Sequence, residues 1–268
     1  MIEVRFHGRG GQGAVTAVRI LASALYMEGK YTQAIPMYGT ERRGAPVVAF
    51  LRIGERRINE RDLVHNPDIV VVLDPLLSRT VPVTEGLKEG GLIIMNFPKP
   101  GNEAGLGGRF RIATVDATAI ALEALGRPIT NTAMLGAFAK ASGLVSLQSL
   151  EKALVENWPG RLGEMNLRAL RAAYERVTPP VDVSGIQPQW TEMEEGVIVR
   201  DVSSWRIFKP QLDESRCVGC RRCYIYCPEV AISMVQGKAR IDYRYCKGCG
   251  ICGEECPTGA ISMVQEAL

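Results

Sequence analysis

All eight cysteines of this 268-residue chain fall between Cys217 and Cys256, in two runs, CVGCRRCYIYCP (217–228) and CKGCGICGEECP (246–257). Each run has the form C-x2-C-x2-C-x3-C-P. Three thiolates at i, i+3 and i+6 in a tight loop can wrap three irons of one cubane. The fourth, set before a helix-stopping proline, points the other way and reaches a second cubane. The spacing therefore predicts two [4Fe–4S] clusters held crosswise, one by Cys217, Cys220, Cys223 and Cys256, the other by Cys246, Cys249, Cys252 and Cys227. Two structural zinc sites would also use eight cysteines, but zinc modules favour separated C-x2-C pairs over a triple run with a Cys-Pro outlier. Disulfides need an oxidising compartment, which nothing in the sequence suggests.

The repeat extends beyond the thiols. A shift of 29 residues (246 − 217) also lays Ala231-Ile232-Ser233-Met234-Val235-Gln236 on Ala260-Ile261-Ser262-Met263-Val264-Gln265, so the module is an internal duplication of the two-cluster bacterial ferredoxin kind. The formal charge of +3 would become about −1 with two oxidised clusters at about −2 each. Arg221, Arg222, Arg240, Arg244 and Lys247 sit around the motifs, to raise the cluster potentials, to dock an acidic carrier, or as solvated surface charge.

A small α+β module of this kind needs something to feed it. Ahead of it, residues 1–178 alternate apolar runs with helical patterns. Ile2–Phe6, Tyr31–Ile35, Ala45–Ile53, Ile69–Leu73, Gly91–Phe97 and Phe110–Val115 read as strands, and Ala14–Met27 and Ala117–Leu125 as helices. Three further helices, Thr132–Ala141, Leu147–Asn157 and Gly163–Arg176, read as a cap. Buried runs such as Ile69-Val70-Val71-Val72-Leu73 predict an α/β fold, a Rossmann-like, mostly parallel sheet covered on both faces. Residues 179–211 hold four prolines and the acidic patch Glu192, Glu194, Glu195, and read as a linker in which Val197-Ile198-Val199 could form one short strand. The third part, 212–268, is the ferredoxin-like domain.

The first strand runs into FHGRGGQG (6–13), where Gly8, Gly10 and Gly13 spell G-x-G-x-x-G. A dinucleotide site also wants an acid about 20 residues on, at the end of the second strand. None suits: Glu28 sits at a helix end and Tyr31–Ile35 carries no acid. With Gly11 the loop has four glycines in six positions, open to an anion or to a partner's backbone. The two histidines, His7 and His65, read as ordinary polar residues. No Walker loop, serine elbow or thiamine diphosphate motif is present, so the chain holds no complete active site of its own. A charge of +3 with scattered basic residues implies neither nucleic acid nor membrane. No apolar run approaches the roughly 20 residues of a span, and no signal peptide is visible, which predicts a cytoplasmic protein.

FHGRGGQGAVTAVRILA (6–22), YTQAIPMYGTERRGAPVVAFLRI (31–53), NPDIVVVLDPLL (66–77) and NTAMLGAFAK (131–140) resemble the gamma subunit of 2-oxoacid:ferredoxin oxidoreductases, most nearly the pyruvate enzyme, pyruvate synthase. SSWRIFKPQLDESRCVGCRRCYIYCPEVAI (203–232) resembles the start of the delta subunit, here joined to gamma in one chain. The resemblance implies alpha and beta partner chains carrying thiamine diphosphate and Mg²⁺, electrons leaving one at a time to ferredoxin, and coenzyme A taking the acyl group in most members. Pyruvate fits best as substrate, with other oxoacids or oxalate open. In that setting Gly8, Gly10, Gly11 and Gly13, with Arg42 and Arg43, would face the partner chains near the coenzyme A or substrate entry, Arg42 or Arg43 being available to an anion. The alternative is a free-standing ferredoxin-like carrier fused to a nucleotide-binding or regulatory domain.

Overall fold

The computed structural model describes residues 1–37, 44–187 and 206–266, which form two compact units, 1–191 and 192–268. Arg42 and Arg43, and the possible strand at 197–199, lie outside the described residues.

The first unit is built on a seven-stranded sheet. Its middle is parallel: β1 (Ile2–Arg9), β4 (Ile69–Val72), β5 (Leu92–Asn96) and β6 (Arg111–Val115) lie side by side in that order. Antiparallel strands extend it. β3 (Pro46–Gly54) pairs with β1, β2 (Tyr31–Pro36) forms the outer edge, and the short β7 (Val181–Asp182) closes the far side against β6. Every residue of β4 and β5 is buried, which is what a parallel strand packed on two faces requires and why β4, and β5 up to Asn96, read as apolar runs.

The two faces are covered differently. Val4, Phe6, Leu51, Val71, Ile94 and Val115 face α1 (Ala14–Met27), α2 (Ala117–Leu125), α3 (Asn131–Ser142), α4 (Leu147–Asn157) and α5 (Arg161–Arg176). Val70, Val72, Ile93, Met95 and Ile112 face loops and 3₁₀ turns through Leu77, Val83, Leu106, Phe110 and Val183. The helices after β6 all lie on this one face of the sheet, and α3 is interior. Its first nine residues, Asn131–Ala139, are all buried, and none is charged. Small residues let α5 approach it: a Cβ on Gly136 would fall 2.0 Å from the carbonyl oxygen of Leu170. Local chemistry stops and starts the helices. Asp116 caps α2 by accepting from Ala119 N (2.9 Å), Ser146 caps α4 through Ser149 N (3.1 Å), and Gly126 and Gly143 end α2 and α3 in left-handed geometry.

The stretch read as a linker is ordered at both ends. Val181–Asp182 joins the sheet, and Phe208–Leu212 is a strand, β8, of the second unit. β8 pairs antiparallel with β11 (Ile261–Gln265), while β9 (Ile232–Val235) and β10 (Lys238–Ile241) form a hairpin. Two single-turn helices, α6 (Arg222–Ile225) and α7 (Ile251–Glu254), are related by the 29-residue repeat. Ile232, Ala239 and Ile261, with Cys223 and Cys252, make the small core between them.

Candidate functional site

The duplicated unit places its thiols in two nests. Cys217, Cys220, Cys223 and Cys256 line one cavity, and Cys227, Cys246, Cys249 and Cys252 line the other, so each run lends its Cys-Pro cysteine to the opposite nest. The two cavities are equal in volume, about 20 Å³ each. Apolar walls close them: Leu212, Met234 and Ala260 around the first, Pro210, Ala231 and Ile241 around the second. Among the described residues no three His, Cys, Asp or Glu side chains close on a single-ion site; the thiols stand apart around a void.

Backbone geometry makes these nests. Gly219 and Gly248, 29 residues apart, have φ of +70° and +66°. A Cβ on either would fall 2.3 Å from Gly237 O or 2.0 Å from Phe208 O, so both loops need glycine. Amides point at sulfur: Ala231 N donates to Cys227 Sγ (3.4 Å) and Ala260 N to Cys256 Sγ (3.2 Å). A cation also sits on the carbonyl of each first thiol, Lys238 Nζ on Cys217 O and Arg206 Nη1 on Cys246 O.

The titration of the thiols fits a site made for a cationic core. Burial, then the neighbouring thiolates, pushes Cys252 up to about 12, and burial raises Cys223 and Cys246. Burial acts upward on Cys256 as well, but bonds from Thr258, Ala260 and Ile261 outweigh it and leave its thiol low. Four like charges cannot gather around a void without a cation to hold them, and binding that cation expels their protons. The donor set and the amide bonds to sulfur suit an iron–sulfur cluster.

The glycine loop is filled by its own side chains. Arg9, at the end of β1, turns inward to Asp74 beyond β4 (Nε to Oδ2, 2.7 Å), with 2% and 3% of the two side chains exposed. Gln12 closes the ring, accepting from Arg9 N (2.8 Å) and donating to Asp74 (3.1 Å), and Arg9 Nη1 donates to Gly44 O (3.2 Å). Gly10 N donates to Ala45 O, and Gly10 O accepts from Gly44 N. The amides of Arg9, Gly10 and Gln12 are therefore spent within the protein, and the loop is a fastened strand-to-helix turn. Sequence reading missed Asp74. Its signal was an acid straight after a fully apolar strand, where a solvent-facing residue would have no reason to be apolar-flanked on both sides.

His7 is not an ordinary surface polar residue. It points from β1 to the loop-covered face, where an open cleft of about 800 Å³ is bordered by Arg5, His7, Val48, Phe50, His65 and Glu85. Burial, then the charge of Arg5, pushes its imidazole down to about 3, and neither His7 Nε2 nor Arg5 Nε has a hydrogen-bond partner among the described residues. The Arg5 Nη2 is satisfied by the carbonyls of Val83 (3.0 Å) and Glu85.

Residues 3–176 match the family model described as pyruvate ferredoxin/flavodoxin oxidoreductase, and residues 210–263 match the 4Fe-4S dicluster domain. The chain belongs to that oxidoreductase family. It is 56% identical over 179 residues to the pyruvate/ketoisovalerate oxidoreductases common subunit gamma of Pyrococcus abyssi, spanning 66% of this chain and 97% of that protein. Pyruvate synthase subunit PorC of Methanothermobacter thermautotrophicus is 56% identical over 177 residues, again 66% of this chain and 96% of the relative. The NADH-dependent phenylglyoxylate dehydrogenase subunit gamma of Aromatoleum evansii is 47% identical over 179 residues, 66% and 94% of the two chains. Among solved structures, the pyruvate oxidoreductase subunit PORC of Thermotoga maritima superposes with a TM-score of 0.59 at 42% identity, over 66% of this chain and 97% of that one. The chain is thus a gamma-type subunit of a 2-oxoacid oxidoreductase carrying an iron–sulfur domain in the same polypeptide. Among the described residues no helix is long and apolar enough to cross a membrane.

Proposed function

We propose that the chain is the fused gamma and delta part of a thiamine diphosphate-dependent 2-oxoacid:ferredoxin oxidoreductase, and that it carries electrons from a decarboxylating site in alpha and beta partner chains to ferredoxin. The observation that carries this reading is the pair of crosswise thiol nests in a chain whose first two thirds are gamma-type. Cys217, Cys220, Cys223 and Cys256 would hold one [4Fe–4S] cluster, and Cys246, Cys249, Cys252 and Cys227 the other. When bound, each cluster supplies a one-electron store that changes charge without breaking a bond. The protein's residues orient the thiolates, aim amides at sulfur and line much of each nest with apolar walls, leaving Cys220 and Cys249 exposed.

Pyruvate is the substrate best supported, because relatives named for pyruvate synthase align over the whole gamma-type unit. One relative is named as common to pyruvate and ketoisovalerate oxidoreductases, which supports a gamma chain that leaves the choice of oxoacid to other subunits. We place the catalytic thiamine diphosphate and Mg²⁺ in those subunits, and coenzyme A as the acyl acceptor there. The turn at Gly8, Gly10, Gly11 and Gly13 would meet the partner chains as a rigid surface. If Arg42 and Arg43 serve an anion of coenzyme A, Arg42→Ala and Arg43→Ala raise its KM without loss of assembly.

The test of the cluster assignment is anaerobic purification with its partners, iron analysis and electron paramagnetic resonance. About eight irons per chain are expected. Cys227→Ser and Cys246→Ser should delete the same signal, and Cys256→Ser and Cys217→Ser the other. If Cys227→Ser instead deletes the signal lost in Cys217→Ser, the crosswise assignment is wrong; stoichiometric zinc would overturn the cluster reading altogether.

A further inference from the structure

The duplication supplies its own control, since every surface position of the first half has a counterpart 29 residues on. In the second half the nest loop is plain: Lys247 is half-buried and paired with Glu229, Gly250 takes φ of +84°, and α7 runs to Glu254 with Glu255 after it. In the first half the counterparts differ: the lysine and the two glutamates give way to apolar side chains, while Gly250 and the half-exposed Ile251 give way to Arg221 and Arg222. Val218 replaces Lys247 and is 68% exposed, and Ile225 and Tyr226 replace the two glutamates at 68% and 54% exposed. Arg221 stands where the second half has Gly250, and it keeps the left-handed backbone, with φ of +65°. An L-residue with a Cβ is strained there, and glycine, present in the counterpart, would be free of that strain. The side chain is therefore retained at a backbone cost while making no salt bridge among the described residues.

The charge around this loop is also unbalanced. Arg221 and its exposed neighbour Arg222 have no acidic partner among the described residues. Lys238, which donates to Cys217 O, has none either, whereas Arg206 and Lys209 on the second half both reach Glu266. Next to Arg221 in the chain is Cys220, the exposed thiol of the first nest, as Cys249 is of the second. Exposed apolar side chains with unpaired arginines mark a protein contact rather than a solvated face, and unpaired positive charge steers a negatively charged partner onto it.

We propose that the loop and helix of the first nest, Val218 to Tyr226, are the docking face for an acidic one-electron carrier protein. The proposal rests on the cluster reading above. On contact, one electron leaves the reduced cluster of the first nest, which is oxidised by one unit, and the carrier is reduced by one; no bond breaks and no proton moves.

Arg221→Gly tests it, because that variant relieves backbone strain while deleting the charge. In the assembled complex, the measurements are the KM for an acidic ferredoxin, the ionic-strength dependence of its reduction, the reduction of a viologen dye, and the resonance signals of both clusters. The expected result is a several-fold higher KM and a shallower salt dependence, with dye reduction and cluster signals unchanged. Unchanged KM and salt dependence with intact signals would overturn the docking face. So would loss of the partner subunits on Ile225→Glu, which would assign the face to the complex's own interior. Absence of cluster signals from the unsubstituted chain would instead overturn the function on which the proposal rests.

Discussion

Removing the carboxylate of Asp74 should unfasten the turn that begins the gamma-type unit. Asp74 accepts from Arg9 Nε (2.7 Å) and Gln12 Nε2 (3.1 Å) and caps the following turn through Leu76 N (2.9 Å). Asp74→Ala takes the carboxylate from an Arg9 guanidinium whose side chain is 2% exposed and which also donates to Gly44 O (3.2 Å). Breaking a buried pair from one side costs about 3–5 kcal/mol. For a unit of this size that is a fall of roughly 6–20 °C in its melting temperature. Asp74→Asn keeps the shape and the cap but trades charge-assisted bonds for neutral ones, so about 1–2 kcal/mol is expected. The double variant Arg9→Met with Asp74→Leu removes both charges and should recover much of the loss. Denaturant unfolding of the full chain, followed by circular dichroism, separates these cases. A loss under about 1 kcal/mol in Asp74→Ala, or a double variant worse than the single one, would refute the account of the loop as a buried ionic clasp.

Two further outcomes follow from buried groups of the same unit. His7 has a folded value of about 3 against an ordinary 6.5, so the folded state binds fewer protons; stability is full above pH 6.5 and falls as pH drops toward 3. Between pH 7.5 and 5 the full chain should lose about 2 kcal/mol that His7→Gln does not lose, and parallel pH profiles for the two would contradict the buried neutral imidazole. Gly136→Ala sets a methyl group 2.0 Å from Leu170 O, so α3 and α5 must separate, at about 3 kcal/mol despite the better helix propensity of alanine. Urea midpoints check this, and a stabilised variant would show that the two helices do not touch through their backbones.

What could be read from the sequence depended on how far apart the cooperating residues lie. The cysteine runs announce their chemistry because ligand spacing is local, and the crosswise nests follow from the repeated proline. The apolar run Ile69–Val72 reveals a buried strand for the same reason. Asp74 and Arg9 are 65 residues apart, so neither announces the other. β8 passed for linker because Pro210 interrupts it and its partner β11 lies some fifty residues away; on a two-stranded edge proline is tolerated. The interior position of α3 was legible in its lack of charge before Lys140, but a helix buried on all sides and one forming a cap carry similar apolar content. The asymmetry of the two nest loops lies in backbone dihedrals and ion pairs that a comparison of letters does not contain.

The exchange of Cys-Pro thiols between halves also sets an order of events during synthesis. Neither nest has all its sulfur until the second run has been made: the second waits for Cys252, and the first for Cys256, 39 residues after Cys217. At ordinary elongation speeds that is roughly two to eight seconds in which soft, reactive thiols stand without their fourth member. The sheet and helices of the first unit, which contain no cysteine, are complete before this interval begins. Cluster loading of these nests would thereby come after everything the gamma-type unit needs to fold has been made.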